Sequence, residues 1–226
     1  MTEELMIGTI GWDHENWVGD FYPDDLPADW RFAYYSNDYR AVLATADHFK
    51  TFDNKTVSDW VEDCDETFGF IVEIPRSILD KTDIDSLQTF LGEISLLRSR
   101  TRGFLLSLGE TTSQVAAQLQ PRIELLQEFG PVCIDFKSES ETPDQLMQLM
   151  AAYHVGLCWH PDTNEAPRAG GSLMLALSDE QDPQGQRKII EALEEWMQHG
   201  DGLAGLFLDS TAAASQARII AEMLGV

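Results

Sequence analysis

The sequence has few basic residues. Its 226 residues include 15 Lys and Arg against 39 Asp and Glu, which gives a formal net charge of -24 at pH 7. A charge of this sign and size repels phosphate backbones and anionic lipid surfaces, so we expect neither a nucleic-acid partner nor a membrane partner. The acidic residues are spread along the chain. This pattern favours a solvated anionic surface suited to a salty cytoplasm; an acidic cluster at a pocket mouth that attracts a cation is the alternative.

Cysteine is scarce and long apolar runs are absent. Cys64, Cys133 and Cys158 are an odd number, and no C-x-x-C occurs, so the sequence supports neither a disulfide framework nor a thiolate zinc site. The apolar runs are far shorter than the roughly 18 to 20 residues that a membrane span needs, and no basic region followed by an apolar one opens the sequence. We expect a soluble, cytoplasmic protein.

No linker, low-complexity tract or internal repeat divides the chain, so we expect a single domain over residues 1–226. Eight short apolar segments alternate with helical patterns, among them FGFIVEI, GFLLSL, VCIDF, VGLCW, LMLAL and LAGLFL. Nearly continuous apolar strands are typical of a parallel sheet that is covered on both faces. We expect a helix over Val57–Thr67, and another over Gln114–Phe129 that is interrupted at Pro121.

Two α/β architectures satisfy this alternation: a compact TIM-like (β/α)8 barrel, and an open doubly wound sheet. The count of eight strands favours the barrel. The segment after the first strand reads G-T-I-G, which does not match the dinucleotide-binding pattern G-x-G-x-x-G, and this also argues against the open sheet.

The stretch from Gly8 to Pro23 is rich in glycine and large aromatic side chains. It is typical of a strand that runs into a long loop, where glycine permits tight turns and aromatic rings close over what lies beneath. Two interpretations stay open: an aromatic plug at one end of a barrel, or a pocket with Trp12 and Trp17 as its walls.

In TIM-like barrels the chemistry lies at the carboxyl ends of the strands, and these positions are polar here. The candidate ligand-pocket residues are Trp12, Asp13, His14, Trp17, His48 and Asp209. Asp135 and Lys137 share one side of the fifth strand by period two, and Glu73 ends the third strand. These three are the candidate catalytic residues for general acid/base work; a buried salt bridge that only fixes packing is the alternative.

A divalent metal is a further possibility. His48, Asp135 and His160 follow different strands, and imidazole and carboxylate groups are common ligands of divalent ions. No H-x-H or H-E-x-x-H spacing occurs, and the ends of barrel strands are commonly polar without a metal.

The opening residues carry a family resemblance. Gly8-Thr9-Ile10-Gly11-Trp12, followed by W-x-G-x-F-Y-P from Trp17 to Pro23, resembles the YecE-like family, called domain of unknown function 72. In that family I-G-T-S-G-W precedes W-x-G-x-F-Y-P. Weaker matches continue to the last strand and helix. The resemblance implies a TIM-like barrel and no established activity.

Several positions depart from the family pattern. After the second strand the family shows V-E-x-N-x-T-F-Y, and Leu43 and Thr45 stand at its carboxylate and amide positions. The family lysine of the third strand is Glu73, whereas Asp135 and Lys137 keep the chemical type of the fifth strand. The resemblance therefore implies a rewritten site that has lost cationic groups, which favours a cationic or metal-bound ligand over an anionic one.

Two hypotheses follow. The first is a small-molecule or metal-assisted site at the carboxyl ends of the strands. The second is a non-enzymatic scaffold or interaction module that has lost the polar residues of the family site. The sequence names no substrate, and it predicts no oligomeric state.

Overall fold

A computed structural model describes residues 5–108, 113–136, 144–163, 166–168, 170–200 and 202–226. The strands in these residues are β1 (Met6–Ile10), β2 (Ala41–Ala44), β3 (Gly69–Glu73), β4 (Thr101–Ser107), β5 (Val132–Asp135), β6 (Gly156–Leu157), β7 (Leu173–Ser178) and β8 (Leu203–Leu208). The α-helices are α1 (Arg31–Asp38), α2 (Asn54–Glu62), α3 (Arg76–Leu79), α4 (Asp85–Glu93), α5 (Ser113–Gln127), α6 (Asp144–Ala152), α7 (Pro183–Gln198) and α8 (Thr211–Leu224).

The strands form one parallel sheet in the order β6-β5-β4-β3-β2-β1-β8-β7. The two outer strands of this order also meet. The Trp159 amide donates to the Leu175 carbonyl at 2.8 Å, and the Leu177 amide donates to the Trp159 carbonyl at 3.0 Å. The sheet is therefore a barrel, which confirms the TIM-like (β/α)8 fold over the open sheet.

Alternation along the strands divides the buried residues between two cores. The larger core lies between the strands and the surrounding helices. The smaller core fills the barrel, and its buried members are Ala41, Leu43, Ile71, Leu105, Cys133, Cys158, Leu173, Leu175 and Phe207. Because successive strand residues point to opposite sides, each inward residue fixes which later residue of its strand faces the barrel mouth.

Two helix predictions were wrong in detail. Helix α2 begins at Asn54 and ends at Glu62, because the Asp53 side chain accepts a hydrogen bond from the Thr56 amide and caps it. Helix α5 runs through Pro121 without a break. Burial of Leu119, Ile123 and Leu126 on one face of α5 offsets the one hydrogen bond that a proline removes.

None of the helices in the described residues combines the length and the apolar character that crossing a membrane would require.

Candidate functional site

The carboxyl end of the barrel carries a row of polar side chains on neighbouring strands. Leu43, Ile71, Leu105, Cys133 and Cys158 face the barrel interior, and each is followed two residues later by a polar residue on the same side. We call these five residues the polar arc: Thr45, Glu73, Ser107, Asp135 and His160. They follow the strand order from β2 to β6.

Asp135 and His160 form a close pair within the polar arc. Asp135 Oδ1 lies 2.8 Å from His160 Nε2, and the two side chains are 9% and 19% exposed. The backbone fixes this pair, because the Cys158 amide donates to the Ile134 carbonyl at 2.8 Å and so sets the register between β5 and the chain leading to His160.

Cys158 completes a cluster of three potential metal ligands. A carboxylate oxygen of Asp135, the Cys158 sulfur and a ring nitrogen of His160 all lie within 4.8 Å of one another. Asp135 and Cys158 are buried, and His160 is partly buried. Sequence reasoning found Asp135 and His160 and missed Cys158. The signal was period two, which puts residues 158 and 160 on one side of the same strand.

Glu73 is held by two uncharged donors. The Ser107 hydroxyl donates to Glu73 Oε1 at 2.7 Å, and the Ala46 amide donates to Glu73 Oε2 at 2.9 Å. Ser107 in turn pairs in register with Asp135. The carboxylate of Glu73 therefore has a fixed orientation at the mouth, and Ser107 on β4 lies between it and the strand that carries Asp135.

The rest of the mouth is less polar. Ile10 and Leu177 pack against the barrel core from the ends of β1 and β7. Asp209 follows β8 and is exposed. The polar groups are thus concentrated on one side of the mouth.

The opening loop is tied to α1 through Arg31. The buried guanidinium donates to Asp13 Oδ1 at 2.5 Å and to Glu15 Oε1 at 2.8 Å, and it lies 5.7 Å from the centre of the Tyr22 ring. The hydrogen bonds that Arg31 donates to Glu15 and, to a smaller extent, to Asp13 raise its pKa. The carboxylate of Asp13, a predicted pocket residue, is therefore engaged in holding this loop.

Trp12 and Trp17 lie in the larger core, where they are 4% and 5% exposed. The Trp12 ring packs on Phe32 and Trp60, and the Tyr22 hydroxyl donates to the Trp12 carbonyl at 2.5 Å. This packing fastens the aromatic loop to the barrel.

The two histidines near the loop contact tryptophan rings. The His14 ring centre lies 4.3 Å from that of Trp17, and His14 Nε2 donates to the Ile10 carbonyl at 2.7 Å. The His48 ring centre lies 3.7 Å from that of Trp12, and His48 Nδ1 lies 3.0 Å from Thr45 Oγ1.

His48 Nε2 is buried and has no hydrogen-bond partner within the described part of the chain. Burial lowers the pKa of His48 to about 4, so its ring is neutral at physiological pH. The ligand cluster found among the described residues contains Asp135 and His160 but not His48, which the sequence had grouped with them. Lys137 lies outside the described residues, and its contact with Asp135 stays a prediction.

The sequence as a whole was then compared with known proteins. A family model described as "Protein of unknown function DUF72" matches residues 6–225. The chain belongs to the DUF72 family. This confirms the resemblance of the opening motif, and it assigns no activity, because the function of the family is unknown.

Two solved DUF72 structures resemble this DUF72 protein over almost its whole length. TM1631 from Thermotoga maritima has a TM-score of 0.75 at 14% identity, and the match covers 99% of this chain and 100% of that one. EF0366 from Enterococcus faecalis has a TM-score of 0.71 at 16% identity, covering 99% and 98%. At these identities the likeness shows the fold alone.

KGPDC from Streptococcus mutans is a more distant structural match to the DUF72 chain. Its TM-score is 0.51 at 11% identity, with 97% of this chain and 99% of that chain covered. No curated protein sequence matches the chain significantly.

Proposed function

We propose that this DUF72 barrel binds a divalent metal ion at its carboxyl face through Asp135, Cys158 and His160, and that the ion takes part in binding a small molecule there. The observation that carries the proposal is the convergence of oxygen, sulfur and nitrogen donors from two neighbouring strands within 4.8 Å. The metal-assisted form of the sequence hypothesis is thereby preferred, with Cys158 in place of His48.

The spacing of the donors needs only a small adjustment to hold an ion. A tetrahedral zinc ion bonds to nitrogen, oxygen and sulfur at about 2.0 to 2.3 Å, which places neighbouring ligand atoms roughly 3.3 to 3.7 Å apart. His160 Nε2 and Asp135 Oδ1 lie 2.8 Å apart, within hydrogen-bond distance. A modest opening of this pair makes room for an ion.

The chemistry of the donors indicates which ion fits. Imidazole and thiolate suit zinc and similar transition metals, whereas Mg²⁺ and Ca²⁺ prefer oxygen ligands. Three protein ligands leave a fourth position for water or substrate, as in catalytic zinc sites. The formal charge of -24 also attracts a cation to the surface.

A thermal-shift series with Zn²⁺, Co²⁺, Mg²⁺ and Ca²⁺ tests the proposal. An ion that binds only the folded protein raises the melting temperature by mass action, so we expect a shift with Zn²⁺ and Co²⁺ and a much smaller one with Mg²⁺ and Ca²⁺. Cys158→Ser and His160→Gln are expected to reduce the shift. Cys64→Ser and His199→Gln, which lie outside the cluster, are the controls. No shift with any ion would contradict the proposal.

The second candidate is a non-enzymatic scaffold. It is favoured by the opening loop, where the Asp13 carboxylate is bound to Arg31 and the rings of Trp12 and Trp17 are buried. A scaffold predicts the same melting temperature with and without added ions, so the same series separates the two candidates.

We also propose that residues 1–226 act as a single domain in the cytoplasm. The buried thiols of Cys133 and Cys158 support this location, because a reducing compartment keeps thiols available as ligands.

A further inference from the structure

We infer that the small molecule at this site is a compact cationic amine, with its ammonium group on the Glu73 carboxylate and its other end at the Asp135–Cys158–His160 cluster. The inference rests on the proposed metal site for the second contact only. The Glu73 contact stands on its own observations, which follow.

Glu73 is an oriented carboxylate without a cationic partner among the described residues. Its oxygens accept from the Ser107 hydroxyl and the Ala46 amide, and both donors are uncharged. Each carboxylate oxygen has a second acceptor site, so two hydrogen bonds leave capacity for more. The side chain is partly exposed at the barrel mouth. A preorganised carboxylate of this kind is best matched by a charged N–H donor.

The neighbouring groups of the polar arc also accept hydrogen bonds. Ser107 uses its only hydroxyl proton on Glu73, which leaves its oxygen as an acceptor. Asp135 is a second carboxylate, two strands from Glu73. A ligand between the two therefore meets oxygen acceptors, and an anionic ligand would be repelled by two carboxylates.

The described arginines near the mouth are already paired. Arg76 donates through Nε to Asp80 at 2.7 Å and through a terminal nitrogen to the Ser107 carbonyl at 3.3 Å. Arg31 is bound to Asp13 and Glu15. Neither guanidinium pairs with Glu73.

The strand spacing sets the size of the ligand. Glu73 and Asp135 end β3 and β5, which are separated by β4, so their Cα atoms are about 10 Å apart at 4.8 Å per strand. We therefore expect a small amine that carries a second polar group two or three bonds from its nitrogen, so that one end reaches Glu73 and the other reaches Asp135.

Three small two-carbon probes separate the ligand classes: ethanolamine, ethylene glycol and glycolate, which carry positive, zero and negative charge. Each is added at millimolar concentration to the full chain, with and without stoichiometric Zn²⁺, and the melting temperature is measured. We expect ethanolamine to stabilise the protein, ethylene glycol to act weakly and glycolate not to act. Glycolate or ethylene glycol matching ethanolamine, or no shift with any of the three probes, would overturn the inference.

Glu73→Gln tests the assigned contact, because it removes the charge and keeps the shape. We expect about tenfold weaker ethanolamine binding, the equivalent of one charge-assisted hydrogen bond, with Zn²⁺ affinity unchanged. Glu93→Gln on the exposed face of α4 is the control. If Glu73→Gln does not fold, Ser107→Ala is used instead, since it frees the carboxylate from its donor and is expected to weaken ethanolamine binding by a smaller factor. Unchanged ethanolamine affinity in the variant would overturn the inference.

The metal and amine proposals fail separately. Ethanolamine binding that depends on Glu73, together with no stabilisation by any ion, would refute the metal site and leave the Glu73 contact intact. Zinc binding without any effect of ethanolamine would refute the amine and leave the metal site.

Discussion

The side chains of Asp135 and His160 meet across the boundary between β5 and β6, with Oδ1 and Nε2 2.8 Å apart. Both extend from inward-facing positions of the barrel, directly above the buried Cys133 and Cys158. The buried cysteines lie beneath the pair on the barrel side. This arrangement suits a bound proton or a bound ion, and it is the geometric basis of the proposed site.

Arg31 is expected to be important for stability rather than for ligand binding. Arg31→Met leaves the carboxylates of Asp13 and Glu15 without their cationic partner and removes a buried charge. We expect a loss of about 2 to 4 kcal/mol in the free energy of unfolding, with unchanged Zn²⁺ affinity. Urea denaturation measures the free energy of unfolding, and titration with Zn²⁺ measures the affinity for the ion.

Arg187→Met is the matched control, because Arg187 forms an exposed i, i+4 pair with Glu191 on α7. A pair of this kind contributes less than about 1 kcal/mol. Equal losses in the two variants would show that the contacts of Arg31 do not hold the opening loop.

Gly11 is expected to tolerate no side chain. Its φ of +74° is unfavourable for other residues, and a Cβ there would lie 3.0 Å from His14 Nε2 and 3.1 Å from His48 Cε1. We expect Gly11→Ala to destabilise the protein by more than about 1 kcal/mol. Gly92→Ala is the contrasting change, because Gly92 lies in α4 with nothing within 4 Å of a Cβ, and alanine favours helix by about 0.5 to 1 kcal/mol. The melting temperature should fall in Gly11→Ala and rise in Gly92→Ala. A change in the same direction in both variants would contradict these expectations.

His48 is expected to make stability depend on pH in the acid range. Its folded pKa is lowered to about 4 from 6.5 by burial, so between these values the unfolded chain binds a proton that the folded chain does not. The stabilisation is therefore complete above pH 6.5 and is lost as the pH falls toward 4, with a slope of up to about 1.4 kcal/mol per pH unit.

The test compares the wild type with His48→Gln in urea unfolding across this range. The advantage of the wild type over the variant should shrink as the solution is acidified, because glutamine does not titrate. His199→Gln serves as the control for an exposed histidine at the end of α7. Parallel pH curves for wild type and His48→Gln would mean that the His48 ring is not held neutral by burial.

The barrel fold could largely be predicted from the sequence, but the exact ends of its helices could not. Eight apolar strands identified the sheet because each is buried on both faces, a property that composition records directly. The interruption at Pro121 was wrong, because burial of one face of α5 outweighs the local preference of a proline. The start of α2 was missed because Asp53 caps it through a hydrogen bond from an amide only three residues away. In a sequence with many acidic residues, such a capping aspartate is hard to tell from the others.

The site was only partly predictable, for a related reason. Glu73, Asp135 and His160 could be placed at the mouth from the sequence, because each lies at or just after the end of an apolar strand. The pairing of Asp13 with Arg31 joins a loop to a helix 18 residues away, and no local pattern indicates it. Cys158 was interpreted only as a buried strand thiol, since its nearness to Asp135 depends on the register between two strands.

The most direct test of the metal site uses Co²⁺ as a spectroscopic probe for Zn²⁺. A thiolate bound to Co²⁺ gives a charge-transfer absorption in the near ultraviolet, so Co²⁺ added to the wild-type protein should produce this band, and excess Zn²⁺ should remove it. Cys158→Ser should abolish the band, and Cys64→Ser should leave it in place. A wild-type protein without the band, or a band that persists in Cys158→Ser, would contradict coordination by Asp135, Cys158 and His160.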